Sequence, residues 1–415
     1  LQNVIDWMTD SFAPRVNKIA KNPWLDAIQQ SILSGMPLIL IGSFATILGL
    51  VKDYVPGFPD FSLLNTFSFG LFSLFLAYLI PEAIMNLKKH PEISKQAGLA
   101  GLAFFLMLIF PKLNGKTGEI SFYLGSLGTG GMIAALVSGL FVGFVMNSFI
   151  KFKLVKDDST LPDFIAVWFN TIFPIIVILL VGWLFTFQLK INLFTVINQF
   201  FSPLTHLGQS FWGLWILTFL AFGFLYSFGI STWVLMPIIY TMELPGMAQN
   251  QAAVASGHAA QNIFVSEAVV LTLIGGAGVT LSLCIMMAFF AKSERLRVIG
   301  KASFIPSIFN INEPLVFGAP IAFNPILMVP FWINTAIAPI LLWVSMKSGI
   351  VPIPHAPFQL WYMPSPAMGW LVTKSITGVV FVLLLFAISW AVYYPFFRIY
   401  DKQAVEQDAS LTEEN

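Results

Sequence analysis

Apolar residues run along this chain in helix-length blocks separated by short polar loops, without the alternation of apolar and polar positions that a membrane β-barrel requires. The blocks at 28–51, 66–87, 97–111, 129–150 and 168–189 predict five successive transmembrane helices, since about twenty apolar residues cross a hydrocarbon core of ~30 Å. Two stretches have a narrower apolar stripe. In 1–27, Phe12, Val16 and Ile19 recur between Arg15, Lys18 and Lys21. In 190–207, Phe194, Ile197, Phe200 and Phe201 lie on a more polar background. Both predict amphipathic helices lying along the membrane face.

Past residue 207 the texture changes. Apolar blocks at 211–228, 266–291, 321–347 and 367–397 predict further spans, but they are interrupted by Gly229-Ile230-Ser231-Thr232-Trp233, by an alanine-rich polar section over 247–261, and by two segments punctuated with proline and glycine, 304–320 and 352–370. Broken helices in one half of a membrane protein point to a binding site, because irregular backbone is tolerated at membrane depth only inside protein or along a polar cavity. The chain therefore divides into a regular scaffold half, 28–206, and a substrate-handling half, 207–400, flanked by the amphipathic segment 1–27 and a polar tail, 401–415. Within that tail, Val405 to Asn415 reads as disordered.

Composition agrees. Of 415 residues 57% are hydrophobic and 10% charged, against roughly a quarter charged in soluble domains, and the mean hydropathy is +0.82. The formal net charge of +1 gives no reason to expect nucleic acid as a partner. Cys284, the only cysteine, sits in an apolar run, which excludes an internal disulfide and a cysteine-based metal cluster. No other signal for a metal or cofactor is read. The basic loops at 88–95 and 151–156 place the N-terminus on the cytoplasmic side, and no signal-peptide pattern is read in 1–22.

Charges are scarce enough for their positions to carry information. Glu313, in Asn310-Ile311-Asn312-Glu313-Pro314, precedes a proline that disfavours helix at the residue before it, so it is expected at a helix break or helix start. An ionisable residue in such a setting is a functional candidate. Asn310 and Asn312 serve either a ligand or the unpaired backbone of the break. In the second interrupted segment, His355, Gln359 and Trp361 combine an aromatic face with polar groups, which suits a sugar ring. Glu267 reads as a solvated or helix-start carboxylate, and the glycines of Gly275-Gly276-Ala277-Gly278 as a close helix-packing site inside a continuous span.

Ile308-Phe309-Asn310-Ile311-Asn312-Glu313-Pro314, with Phe317-Gly318 and Asn324-Pro325 behind it, resembles the membrane component, enzyme IIC, of bacterial phosphotransferase-system sugar permeases, in the lactose, cellobiose and diacetylchitobiose branch. Leu161-Pro162-Asp163, Gly275-Gly276-Ala277-Gly278 and Tyr393-Tyr394-Pro395-Phe396-Phe397 extend the resemblance over most of the chain. It implies an all-α polytopic membrane protein with about ten transmembrane helices, two re-entrant hairpins and amphipathic connectors, multi-pass in the bacterial cell membrane with both termini cytoplasmic. It implies a homodimer held by the first half, a β-linked disaccharide bound by the second, and a separate cytoplasmic IIB subunit, itself supplied by IIA, that donates phosphate from a phosphocysteine. Glu313 then takes the catalytic position beside the phosphorylated hydroxyl, with Asn310, Asn312, Ser231, His355, Gln359 and Trp361 around the sugar. One departure stands out. Where such proteins commonly read Phe-Gly-Ile-His-Gly, this chain has Phe228-Gly229-Ile230-Ser231-Thr232, and serine does not replace imidazole as a proton acceptor near neutral pH. A non-phosphorylating facilitator or sensor of the same fold is therefore the alternative.

Overall fold

The computed structural model describes residues 22–413 apart from 53, 54, 56, 153, 154, 156–161 and 320, so most of the expected N-terminal amphipathic segment lies outside the described residues. Contacts divide the chain into two compact units, 22–206 and 207–413.

The first unit is built from long helices: α1 (Pro23–Lys52), α2 (Phe72–Leu87), α3 (Ser94–Leu108), α4 (Met132–Phe149), α5 (Asp163–Trp183) and α6 (Leu193–Gly208). Helix α2 lies at the centre, packed on α1, α3 and α4. Its residues Phe72, Leu76, Ile80 and Ile84, four apart and so on one face, are fully buried. Glycines on the neighbouring helices admit this face: Gly139 and Gly143 of α4 sit against Ile80 and Ile84, and Gly98 of α3 against Tyr78. Helix α5 instead leaves Trp168, Phe169, Ile172, Ile176 and Leu180 exposed, as a helix bordered by lipid does. The expectation of an all-helical chain needs one correction. Between α3 and α4 the chain makes a small antiparallel hairpin, β1 (Lys112–Asn114) with β2 (Glu119–Ser121), closed by a turn over Gly115–Gly118.

The second unit is a different kind of object. Its regular helices are α7 (Phe211–Phe219, continuing through a π turn to Ser227), α8 (Met236–Ala255), α9 (Glu294–Ile308), α10 (Glu313–Gly318), α11 (Pro325–Lys347), α12 (Ser365–Thr373) and α13 (Ile376–Glu413). Between them run lengths of non-helical backbone, at 257–265, 273–276 and 350–364. The single span expected over 266–291 is instead two helical pieces bent by 41°. The glycines at the bend do more than admit a neighbouring helix: Gly275, Gly276 and Gly278 all have positive φ, 75°, 96° and 76°, a backbone that L side chains rarely adopt. The apolar stretch 367–397 is likewise split, with α12 ending at a left-handed Lys374 and α13 packing back on it where Gly369 meets Gly378.

The tail expected to be disordered is helical up to Glu413. The Asp401 carboxylate, buried, accepts the N–H groups of Lys292 (2.9 Å) and Ser293 (3.0 Å) and so caps the start of α9 from over a hundred residues away. Ala404, one turn on, is in the core, so the helix is held by tertiary contacts. Among the described residues six helices are long and apolar enough to cross a membrane, eight if each of two bent pairs is counted as one span.

Candidate functional site

Irregular backbone in an apolar setting leaves N–H and C=O groups without helical partners, and each must be bonded elsewhere. The second unit meets this demand with side-chain amides, most of them buried. The Gln209 side chain donates to the carbonyl of Phe264 (2.7 Å) and accepts from the same residue's N–H (3.0 Å). Asn250, 1% exposed, accepts from the N–H groups of Gln261 and Asn262 and donates to the carbonyls of Asn262 and Pro354. Asn310 sits at the end of α9 with φ 61°. It accepts from Gly275 N–H (2.9 Å) and Ser365 Oγ (3.0 Å) and donates to the carbonyls of Trp361 (2.8 Å) and Met363 (3.0 Å). Asn312 donates to the Ala277 carbonyl (2.7 Å) and Thr280 Oγ1 (2.8 Å). Of the two roles left open for Asn310, the amide's four hydrogen bonds are all spent on the scaffold.

The broken segments so held together enclose a pocket of about 950 Å³, its mouth included, wholly within the second unit. Glu313 opens α10, with Pro314 at the second position where its missing N–H costs nothing. Its carboxylate is exposed to the pocket and has no hydrogen-bond partner among the described residues; no backbone donor at the helix start satisfies it. Gln359 and Trp361 reach the same pocket from the 350–364 segment. Gln359 is held by Nε2 donating to Glu267 Oε1 (2.9 Å), which also accepts the Phe358 N–H (2.8 Å). Glu267 is therefore no solvated carboxylate: it is 1% exposed and fixes the second broken segment. The Trp361 ring is partly open, edge-to-face with Tyr362.

Five of the seven residues singled out in the sequence thus line one pocket: Asn310, Asn312, Glu313, Gln359 and Trp361. Ser231 and His355 are not among its lining residues, although Thr232, next to Ser231, is, and none of the lining residues is a histidine. Sequence reasoning passed over Tyr226 and Tyr240, which bring phenol groups to the pocket, and Glu243 of α8, 3% exposed, whose Oε2 accepts Ser266 Oγ. One signal for Glu243 was present: like Glu313, it is a carboxylate in an apolar stretch, although Pro245 lies two residues on and not next to it. A pocket with carboxylates, amides and aromatic faces can bond several hydroxyls while packing C–H faces, the demand a carbohydrate makes.

Comparison with known proteins bears on this chemistry. A family model described as phosphotransferase system, EIIC, matches residues 29–335. The chain is 30% identical to the lichenan permease IIC component of Bacillus subtilis (strain 168), over 97% of this chain and 95% of that protein. It is 28% identical to the cellobiose-specific EIIC component of the PTS system of Geobacillus stearothermophilus, over 99% and 98%. The lactose-specific EIICB component of Lacticaseibacillus casei is 30% identical, over 97% of this chain and 72% of the longer relative. In fold, the chain is similar to the transporter ChbC, the IIC component from the N,N′-diacetylchitobiose-specific phosphotransferase system, with a TM-score of 0.85 and 24% identity over 97% of this chain and 99% of that one.

Proposed function

From its place in the phosphotransferase-system EIIC family, to which this chain belongs, we propose that it is the membrane permease subunit for a β-linked disaccharide of the cellobiose, lactose or diacetylchitobiose type, coupled to phosphorylation by a separate IIB subunit. The observation that carries the reading is Glu313: an unpartnered carboxylate facing a pocket whose neighbouring amides are already engaged by the scaffold. A sugar hydroxyl donates to that carboxylate, and the same oxygen is placed to take the hydroxyl proton as the hydroxyl attacks phosphorus, an assistance worth ~10² to 10⁴ in rate. Gln359 bonds a further hydroxyl and Trp361 packs on a ring face.

Cys284 is fully buried in the core, so it is not the phosphocysteine in this reading, and a IIB unit is the phosphoryl donor. The relative named as an EIICB component extends beyond the stretch this chain matches, which supports a IIB unit as partner. In this reading the protein is a homodimer of about ten spans per chain, two of its broken segments are re-entrant, and both termini face the cytoplasm.

The test is uptake and binding in proteoliposomes. Glu313→Gln abolishes sugar binding or uptake while leaving the melting temperature of the purified protein unchanged, because the carboxylate bonds nothing in the fold. Undiminished affinity removes Glu313 from the site.

One observation favours a second reading. Among the described residues no histidine lines the pocket, which suits a facilitator or sensor of the same fold that does not phosphorylate its ligand. Mixing the purified protein with phosphorylated IIB and sugar separates the two: sugar phosphate supports the permease, and its absence with intact sugar binding supports the facilitator.

A further inference from the structure

The pocket has two carboxylates, and the geometry between them points to a use for the second. Ser266, Val269, Val270 and Leu273 all line the pocket. Their spacing of i, i+3, i+4 and i+7 places them on one face of the helical segment 266–272 and its following turn. One end of this wall is Ser266, whose Oγ donates to Glu243 Oε2. The other end is Gly276, packed so closely on Asn312 that a Cβ there would lie 2.5 Å from the Asn312 amide carbon, and Asn312 precedes Glu313. At a rise of about 1.5–2 Å per residue the helical part alone is on the order of 10 Å long, the scale of two linked pyranose rings.

Glu243 and Glu313 therefore flank an apolar strip of two-ring length. Ser266 is the one hydrogen-bond partner of the Glu243 carboxylate among the described residues, so Oε1 is without one, although the side chain is 3% exposed and lines the cavity. A buried carboxylate without a cation needs hydrogen-bond donors. Sugar hydroxyls are such donors, and the valine and leucine side chains offer a surface for ring C–H faces.

We infer that Glu243 is a binding residue for the second sugar ring, the one away from Glu313, and that it makes the site selective for disaccharides over substrates with one polar ring. This rests on the sugar-permease reading above. The test uses calorimetry on purified full-length protein with cellobiose, lactose and N,N′-diacetylchitobiose, and then with the phenyl β-glycoside of the ring held at Glu313, in which a phenyl group replaces the second ring. Glu243→Gln is expected to weaken the best disaccharide at least tenfold and to leave the phenyl glycoside within twofold of wild type. Glu313→Gln is expected to weaken both.

The ratio of the two dissociation constants is independent of the fraction of variant that folds, and Ser266→Ala, which leaves the carboxylate in place, gives a second reading of the same ratio, expected to move in the same direction by a smaller factor. A Glu243→Gln variant that binds the disaccharide within twofold of wild type, or loses both ligands equally, overturns the inference. A wild-type protein that binds none of the three disaccharides overturns the permease reading instead.

Discussion

The two units of this chain solve the same problem with different materials. In 22–206 most of the described backbone lies in long helices that pack through apolar stripes and glycine notches, as where α2 meets Gly139 and Gly143 of α4. In 207–413 the helices are cut into pieces, and side chains take over the bonding that helices would have supplied: the half-buried Gln209 and the buried Asn250, Glu267, Asn310, Asn312 and Asp401. A pocket lined with backbone turns and polar side chains cannot be made from intact apolar helices, because an uninterrupted helix presents only side chains and hides its amides. The polar side chains of the second unit are what hold the broken backbone around its pocket together.

The contrast is sharpest at glycine. Gly278 has φ 76° and a would-be Cβ 2.2 Å from the Phe331 ring, and its carbonyl accepts the Tyr393 hydroxyl. Gly278→Val is expected to prevent recovery of monodisperse protein on size-exclusion chromatography. In α4, a Cβ on Gly143 meets first the Cδ1 tip of Ile84, a flexible end that can move aside. Gly143→Ala is expected to cost about 1 kcal/mol and leave sugar binding intact. If both substitutions proved equally mild, the special demand on the second unit's backbone would be refuted.

A smaller effect is expected at the staples. Asn310→Ala orphans Gly275 N–H and the carbonyls of Trp361 and Met363 in a buried place, at a cost of about 3 kcal/mol. Thermal unfolding in detergent should show it as a clear drop in melting temperature. Sugar affinity should fall with it, because Trp361 loses its anchor to α9. The Glu313→Gln pattern differs in stability alone: there binding goes and the melting temperature stays.

Smaller again is Asp401→Ala, expected to cost about 2 kcal/mol by uncapping α9 with sugar affinity within twofold of wild type, since Asp401 is not among the residues lining the pocket. A truncation before residue 401 that melted like the full chain would show the tail helix to be dispensable.

Much of this was legible before any coordinates. Helix-length apolar blocks identify spans because a single segment must satisfy its own backbone in lipid, and Glu313 stood out because a carboxylate beside a proline in apolar sequence is expensive. Glu243 is a carboxylate in apolar sequence too, but no proline adjoins it and no asparagines flank it, so its segment reads as an ordinary helix. The β1–β2 hairpin and the bend at Gly275–Gly278 were not legible for another reason. Short strands are set by cross-strand partners, and a glycine run in an apolar block reads alike whether it admits a helix or turns the chain. Val405 to Asn415 looked disordered because polar composition does not show that the helix entering it is held just upstream, where Asp401 bonds the start of α9.

What the sequence by itself determined is a polytopic helical membrane protein with one regular half, one broken half and a carboxylate at the break, because hydropathy, proline and charge act locally. Only the tertiary structure decided that Asn310 and Asn312 serve the scaffold while Glu313 faces the pocket, that Ser231 and His355 lie outside its lining, and that Glu243 joins it across the wall of Ser266 to Leu273. Those assignments depend on which segments, up to more than a hundred residues apart in the chain, come within hydrogen-bond reach, and a local pattern carries no record of that distance.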